Sequence, residues 1–541
     1  MIHSKVKHTL RSPVHVRPWI WGVLLFLLAL AAYLPATRGG YIWDDDEHLT
    51  ANPVIVGPLG LKEIWTTTHA RICPLVQTTW WLEHQLWGLN PMPYHLVNIL
   101  MHAAAALVLW RVLLQMRVPG AWLGAAIWML HPVQVESAAW ITEMKNTQCA
   151  LFFLLSILFY GRSRLSVAEV ERKNCAGYHY FLTLLFGAMA IASKSSATVL
   201  PLVLVLCGWW MDGHWRWRRS LWQMGPLLLL SALSGLMSVW SRNVEGSGED
   251  QQWALDWVLR APVAGKALWF YLGKLIWPHP LVMIYPRWEL KPGDALIWLP
   301  LIAAMLLTVL LWRNRNSKRG RPLFFTWIYF VIALLPVLGL LTHGFLKFSY
   351  VADHFQYIAS IGPLALAGAG ISIGLNALPK QSRWLQPVLC SSLLLVLGTL
   401  TWRQCTIYEN EGTLWTDVLK YNPRSWVGHN NLGAYKMTVE KHFDEAKSHF
   451  LRAIEIKPDC DLAYVNLGIL LHAKGQVDEA IAHLQKALEI NPRAPQAHLN
   501  LGICYEQTKR MDEALIQYQK AVEASPDDAF ARRKLAALKT H

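Results

Sequence analysis

The first 405 residues are a succession of apolar segments, and this repetition constrains the fold more than any single motif does. A helix that crosses a bilayer needs about 20 mostly apolar residues. Segments of this kind lie near residues 19–36, 94–115, 119–131, 147–161, 178–193, 197–211, 221–240, 296–312, 322–341, 356–377 and 384–403. At 54% hydrophobic and 16% charged residues the chain is too apolar for one soluble domain, and 541 residues exceed a single core. The expected fold is all-α, with a polytopic membrane domain of about 11 transmembrane helices over 1–405 and a separate unit over 406–541.

Charge sets the orientation. Residues 406–541 hold 17 Lys and Arg against 18 Asp and Glu, so the formal +14 of the whole chain belongs to the membrane half. Its basic residues sit in alternate short loops: Lys5 to Arg17, Arg111 and Arg117, Arg162 to Lys173, Arg216 to Arg219, Arg313 to Arg321, then Lys380 and Arg383. That pattern marks cytoplasmic loops and gives no reason to expect nucleic-acid binding. The first apolar run is long enough to span, without a small-residue cleavage site, and reads as a retained signal anchor with a cytoplasmic N-terminus. Eleven crossings then put residues 406–541 on the outer side. Val263–Trp277 breaks the alternation if it spans; with Lys266 and Lys274 it reads as an amphipathic helix in the outer interface. The eight cysteines form no CxxC pair and no zinc spacing, and the Trp pairs fit interfacial belts.

The outer side collects Thr37–Pro93, His131–Asn146, Ser193–Ser196, Ser241–Ala295 and Thr342–Phe355, which hold most of the conspicuous polar residues. The first begins YIWDDDEHLTANP, where Asp44, Asp45, Asp46 and Glu47 follow the first crossing directly. Four adjacent like charges cannot enter hydrocarbon. A carboxylate crowded by others can have its pKa raised toward that of a useful general base, although a solvated loop has the same composition.

After about Tyr421 the sequence becomes periodic. Asn-Leu-Gly recurs at 431–433, 466–468 and 500–502, Glu-Ala at 445–446, 479–480 and 513–514, and Pro at 423, 458, 492 and 526. A period of 34 or 35 residues in one register is the tetratricopeptide pattern of paired helices. Three repeats are clear, Glu409–Tyr421 reads as half of a degenerate leading repeat, and Asp527–Lys539 as a closing cap. Such solenoids bind polypeptides on a concave face. Asn431, Asn466 and Asn500 recur once per repeat and resemble the asparagine ladder of soluble O-linked N-acetylglucosaminyltransferase repeats, which grips peptide backbone. The alternative is that each satisfies a backbone group of its own repeat.

Together these features resemble the transmembrane and tetratricopeptide-repeat-containing O-mannosyltransferases and their bacterial relatives, of the GT-C glycosyltransferase superfamily. The marks are YIWDD with Pro53 following, LHPVQVESAAWI (Leu130–Ile141), ASKSSATVLPLVL (Ala192–Leu204), YLGKLIWP (Tyr271–Pro278) and YVADHFQYIASIG (Tyr350–Gly362). The last departs from the usual Asp/Glu-Arg-Tyr, reading Asp353-His354-Phe355, and a His in place of Arg makes any phosphate contact pH-dependent. The resemblance implies a polyprenyl-phosphate sugar donor, most simply a hexose such as mannose, and an outward-facing protein hydroxyl as acceptor. Asp44 or Asp45 would act as base in an inverting displacement. The departing phosphate needs cations. Candidates for that task or for shaping the site are His131, Glu136, Lys145, Lys194, Arg260, Lys347, Asp353 and His354; for each, a headgroup or packing role is the simpler alternative.

No cofactor is called for. A divalent cation bridged by Asp44, Asp46 and the phosphate is the one metal arrangement the acids suggest, against a plain solvated run. Competing readings are a non-enzymatic membrane-anchored repeat scaffold for envelope assembly and an oligosaccharide ligase or polymerase; the short late loop Thr342–Phe355 disfavours the last. A bacterial inner membrane with periplasmic repeats is the expected location, and an endoplasmic-reticulum membrane with luminal repeats has the same topology.

Overall fold

The computed structural model describes residues 17–57, 59–67, 73–168, 173–245, 255–342 and 344–539. Among these there are helices and turns and no strand. Lys5, Lys7, Arg11 and Arg172 fall outside the described residues.

Every expected crossing corresponds to a helix. Among the described residues eight are long and apolar enough to span by length and composition: Pro18–Arg38, Pro91–Gln115, Ala176–Ser193, Ser195–Asp212, Ser220–Trp240, Ala295–Asn314, Gly320–Val337 and Lys380–Tyr408. Ala121–Leu130 and Ile361–Asn376 are apolar but shorter, and Met144–Ala168 is long but more polar. The two short helices press together where Gly124 meets Gly368. A Cβ on Gly368 would come within 2.6 Å of the Gly124 backbone, so only glycine permits that approach. Ala295–Asn314 exposes Leu299, Ile302, Met305, Leu306, Val309 and Leu310, an apolar face that suits hydrocarbon and would be costly in water.

The helix ends sort into two groups. At one end the basic loops meet: Arg164 pairs with Asp212 at 2.6 Å, Trp210 Nε1 donates to the Met116 carbonyl, and Arg321 donates to the carbonyls of Trp209 and Trp210. At the other end lie the described parts of the segments expected on the outer side. Asp45 accepts from Thr142, Lys194 donates to Asn146, and Asn422 donates to the Ile284 carbonyl.

The helix Trp257–Ile276 tests the interface reading. With a rise of about 1.5 Å per residue it is long enough to cross. It does not: Arg260 near its start donates to the Leu340 carbonyl, and the Leu275 carbonyl near its end lies 3.2 Å from His131 Nε2. Both partners belong to the acidic-loop end, so the helix lies along that end. It buries Val263, Ala267 and Tyr271 and exposes Trp257 and Ile276.

The repeats form helix pairs Trp426–Tyr435 with Phe443–Ile456, Asp461–Ala473 with Val477–Ile490, and Pro495–Gln507 with Met511–Ala524, closed by Ala529–Lys539. The recurring glycine has a packing cause. A Cβ on Gly433, Gly468 or Gly502 would come within 2.7 Å of Phe450, Leu484 or Tyr518 of the paired helix. Packing does not change at residue 406, where the sequence changes character. Leu414, Trp415, Val418, Val427 and Leu432 belong to the same buried core as the membrane helices, while Ala446 to Tyr518 form a second core.

Candidate active site

The acidic loop is pinned by Trp43, whose φ of 48° lies in the left-handed region that non-glycine residues rarely adopt. Its ring stacks on Trp140 at 5.5 Å and meets the edges of Phe348 and Trp415 at 5.2 and 5.5 Å. Its amide donates to Glu411 Oε1 at 3.2 Å. One side chain thus joins the first loop, the His131–Asn146 segment, the late loop and the first helix before the repeats. Further on, Asn52 Oδ1 accepts from the Val54 amide and its Nδ2 donates to the His48 carbonyl, both at 3.0 Å, which turns the chain after the acids.

The two favoured acids differ sharply. Asp45 is fully buried, and its carboxylate accepts from the Ile42 amide at 2.8 Å, the Thr142 amide at 2.9 Å and the Thr142 hydroxyl. Burial pushes its pKa up to about 7 even though these hydrogen bonds oppose the shift, and Asp44 adds a smaller push upward. Asp44 is partly open, with 27% of its side chain exposed; Oδ2 faces His48 Nε2 at 3.3 Å, while Oδ1 is buried without a hydrogen-bond partner. It also lies within electrostatic reach of Lys145.

Beside these acids is a network centred on Glu143. Lys145 Nζ lies 2.8 Å from one carboxylate oxygen and Lys194 Nζ 3.6 Å from the other, and Asn146 donates to Glu143. Lys194 also donates to Asn146 Oδ1 at 2.6 Å. Burial alone would raise the Glu143 pKa, but His354, Lys145 and Lys194 outweigh it and hold the carboxyl well below the usual range. Adjacent to it, His354 Nδ1 lies 2.8 Å from Glu136 Oε1, and the His354 amide donates to Oε2. Burial, with Asp353 and Glu143 nearby, pushes Glu136 upward. Asp353 accepts from the Tyr285 hydroxyl at 2.9 Å, and burial raises it to about 7. A cavity of about 20 Å³, bounded by Asn146, Lys194, Ser196, His354 and Phe355, has room for about one water.

The fold therefore brings Asp44, Asp45, Glu136, Lys145, Lys194, Asp353 and His354 together. It places three other candidates elsewhere. His131 has both ring nitrogens engaged, by the Leu275 carbonyl and the Val133 amide, and couples the interfacial helix to the His131–Asn146 segment. Arg260 donates to the carbonyls of Leu255 and Leu340 and to Thr342, which laces the interfacial helix to the late loop. Lys347 lines a cleft of about 470 Å³ between the membrane unit and the repeats, together with Arg287, Trp426 and Lys457. The asparagines do not share one environment. Asn466 donates to Asn430, which in turn donates to Asn431, linking two repeats, while Asn500 donates to the Gln496 carbonyl within its own helix. Among the described residues no group of three or more His, Cys, Asp or Glu is arranged to hold a metal ion.

Sequence reasoning missed Glu143, Thr142, Asn146 and Tyr285. The first three lie inside the flagged segment His131–Asn146, where a second acid and an amide next to Lys145 were the available signal. Tyr285 had none.

Fold and site together define a class: an all-helical membrane protein that carries a tetratricopeptide-repeat solenoid at the polar end of its helices. Comparison with known proteins agrees. The tetratricopeptide repeat family model matches residues 440–495 and 474–529. The chain is 24% identical over 494 residues to the protein O-mannosyl-transferase TMTC4 of Mus musculus, covering 77% of this chain and 64% of that protein. It is 23% identical over 465 residues to a protein O-mannosyl-transferase of Caenorhabditis elegans (81% and 62%), and 23% identical over 501 residues to TMTC3 of Homo sapiens (82% and 52%). The chain thus resembles the transmembrane and tetratricopeptide-repeat O-mannosyltransferases over most of its own length, while spanning less than two thirds of each of these relatives. Among solved structures, the TPR domain of Arabidopsis OM64 is 20% identical, covers 22% of this chain and 98% of that domain, and has a TM-score of 0.21.

Proposed function

We propose that this chain is an integral-membrane glycosyltransferase of the GT-C type. It moves a hexose such as mannose from a polyprenyl-phosphate donor to Ser or Thr hydroxyls of a protein held by the repeats. The observation that carries this reading is Asp44: a partly open carboxylate with one unpartnered oxygen, beside Lys145, at the end of the membrane unit where the repeats attach. The names of the relatives support the coarser part of this reading, transfer of mannose to protein.

Of the two acids, Asp44 is the general base. Its carboxylate, 27% exposed, takes the proton of an acceptor hydroxyl as that oxygen bonds the anomeric carbon and the bond to the phosphate oxygen breaks, inverting the configuration. Asp45 is fully buried and accepts three hydrogen bonds, which makes it a positioning residue that ties the loop to Thr142. Lys145 and Lys194 receive the departing phosphate, exchanging part of their contact with Glu143 for the new anion. His354, held by Glu136, lies beside Lys194 across a cavity with room for about one water. The acids and repeats face the periplasm of a bacterial inner membrane, or the lumen of an endoplasmic-reticulum membrane; the basic loops face the cytoplasm.

The test is transfer from a synthetic polyprenyl-phosphate mannose to a protein extract by the chain in nanodiscs, read by intact-mass spectrometry. Asp44→Asn should lower the rate by about 10²–10⁴-fold with the fold intact. No transfer by the wild-type chain, with protein binding intact in Asp44→Asn and lost only in repeat-face variants, would support the scaffold reading instead.

A further inference from the structure

A second feature lies at the opposite end of the membrane unit, away from the acids. Helices Pro91–Gln115, Met144–Ala168, Leu200–Asp212, Gly320–Leu334 and Ile361–Asn376 leave an apolar chamber of about 400 Å³ between them. Its charged lining residues, among those described, are Arg117, Lys318 and Arg321, with no acid among them. The nearby Asp212 is already engaged, by Arg164 at 2.6 Å and Arg216 at 3.5 Å.

Arg321 sits between the rings of Trp209 and Trp210, each about 5.3 Å away. One guanidinium nitrogen donates to the last carbonyls of the helix Leu200–Asp212, yet its Nε is buried and has no partner. A buried N–H with no acceptor is costly. Arg117 is fixed by a left-handed backbone at φ 57°, on a turn closed by the Val118 amide to the Leu113 carbonyl, and Lys318 is exposed on the neighbouring loop. Three cations at the head of a greasy cleft are complementary to one amphiphile: an anion attached to a hydrocarbon chain.

We infer that this chamber is a binding site for an anionic phospholipid. The phosphate lies among Arg117, Lys318 and Arg321 and one acyl chain occupies the cleft. The inference does not rest on the transferase activity. A contrast is built into the fold. The groove of about 840 Å³ between Pro18–Tyr33 and Leu385–Cys405 is larger but has no charged lining residue among those described. It offers surface to any lipid tail and no preference for a headgroup.

The experiment is native mass spectrometry of the full chain in detergent, titrated with phosphatidylglycerol, phosphatidylethanolamine or polyprenyl phosphate, with thermal shift on the same samples. Phosphatidylglycerol should be retained and raise the melting temperature, and phosphatidylethanolamine should not. The double variant Arg117→Ala/Lys318→Ala leaves the helix-capping Arg321 in place and should weaken retention at least tenfold. Leu366→Trp, which fills the chamber, should do the same, while Leu395→Trp in the uncharged groove should not. Equal retention of the two phospholipids by the wild-type chain would overturn the proposal without any variant. Retention unchanged in both chamber variants, or polyprenyl phosphate displacing phosphatidylglycerol from the wild type, would also overturn it.

Discussion

Two neighbouring aspartates show how much depends on a single carboxylate's surroundings. Asp45 is buried with its pKa at about 7, far above its unfolded value. The proton is therefore bound more tightly in the folded chain, and the sign follows. The contribution to stability is complete below about pH 4, declines as pH rises and is lost above about pH 7, amounting to at most about 4 kcal/mol. Thermal melts between pH 5 and 8 should show wild-type stability falling relative to Asp45→Asn as pH rises. Asp44→Asn weakens only the partly exposed contact with His48 and should leave the melting temperature within about 1 °C while transfer falls by about 10²–10⁴-fold, which separates base from positioning residue. Glu143→Gln would strand Lys145 and Lys194 at a buried site, and a loss of about 3–5 kcal/mol in denaturant melts is expected. None of these distinctions was legible in DDDE. Adjacent residues of one type look interchangeable until remote partners are known, and Thr142 is 97 residues from Asp45.

Helices were far more legible. Apolar length and a 34- or 35-residue register are local properties, and each expected crossing and repeat has its helix. The recurring Asn-Leu-Gly mark is now explained by contact of each glycine with the paired helix. Gly502→Val would drive a branched side chain into the Tyr518 ring. Overpacking of this kind costs about 1–3 kcal/mol and should appear as faster proteolysis of the last repeat pair. The Asn half of the mark was less legible: in Asn500 it serves its own helix, while Asn431 and Asn466 are joined through Asn430. For the interfacial helix, single cysteines at Trp257 and Ile276, both exposed, should react with an impermeant reagent from the same side of the membrane. Labelling from opposite sides would mean that the helix spans.

Across the whole chain, acids and repeats share one end and basic loops share the other, so the proposed acceptor, if held by the repeats, would be on the same side as Asp44. At the junction the core of the membrane unit continues into Glu411–Tyr421 and Trp426–Tyr435. Trp415 is fully buried there and meets Trp43 edge to face. Trp415→Ala should cost about 3–5 kcal/mol and free the repeats to move against the acidic loop, measured as a widened distance distribution between spin labels on the two units.

The sequence by itself determined where the apolar helices lie, the end at which acids and repeats meet, and the register of the solenoid. Each follows from hydrophobic length, loop charge or period, which are readable over a few tens of residues. Only the tertiary structure decided which aspartate keeps a free oxygen, that Glu143 joins two lysines, and that His131 and Arg260 brace the scaffold. The physical reason is that a carboxylate's chemistry is set by the groups that reach it. Here those groups come from distant parts of the chain: 218 residues separate Glu136 from His354, two side chains that share one hydrogen bond in a site nearly closed to water.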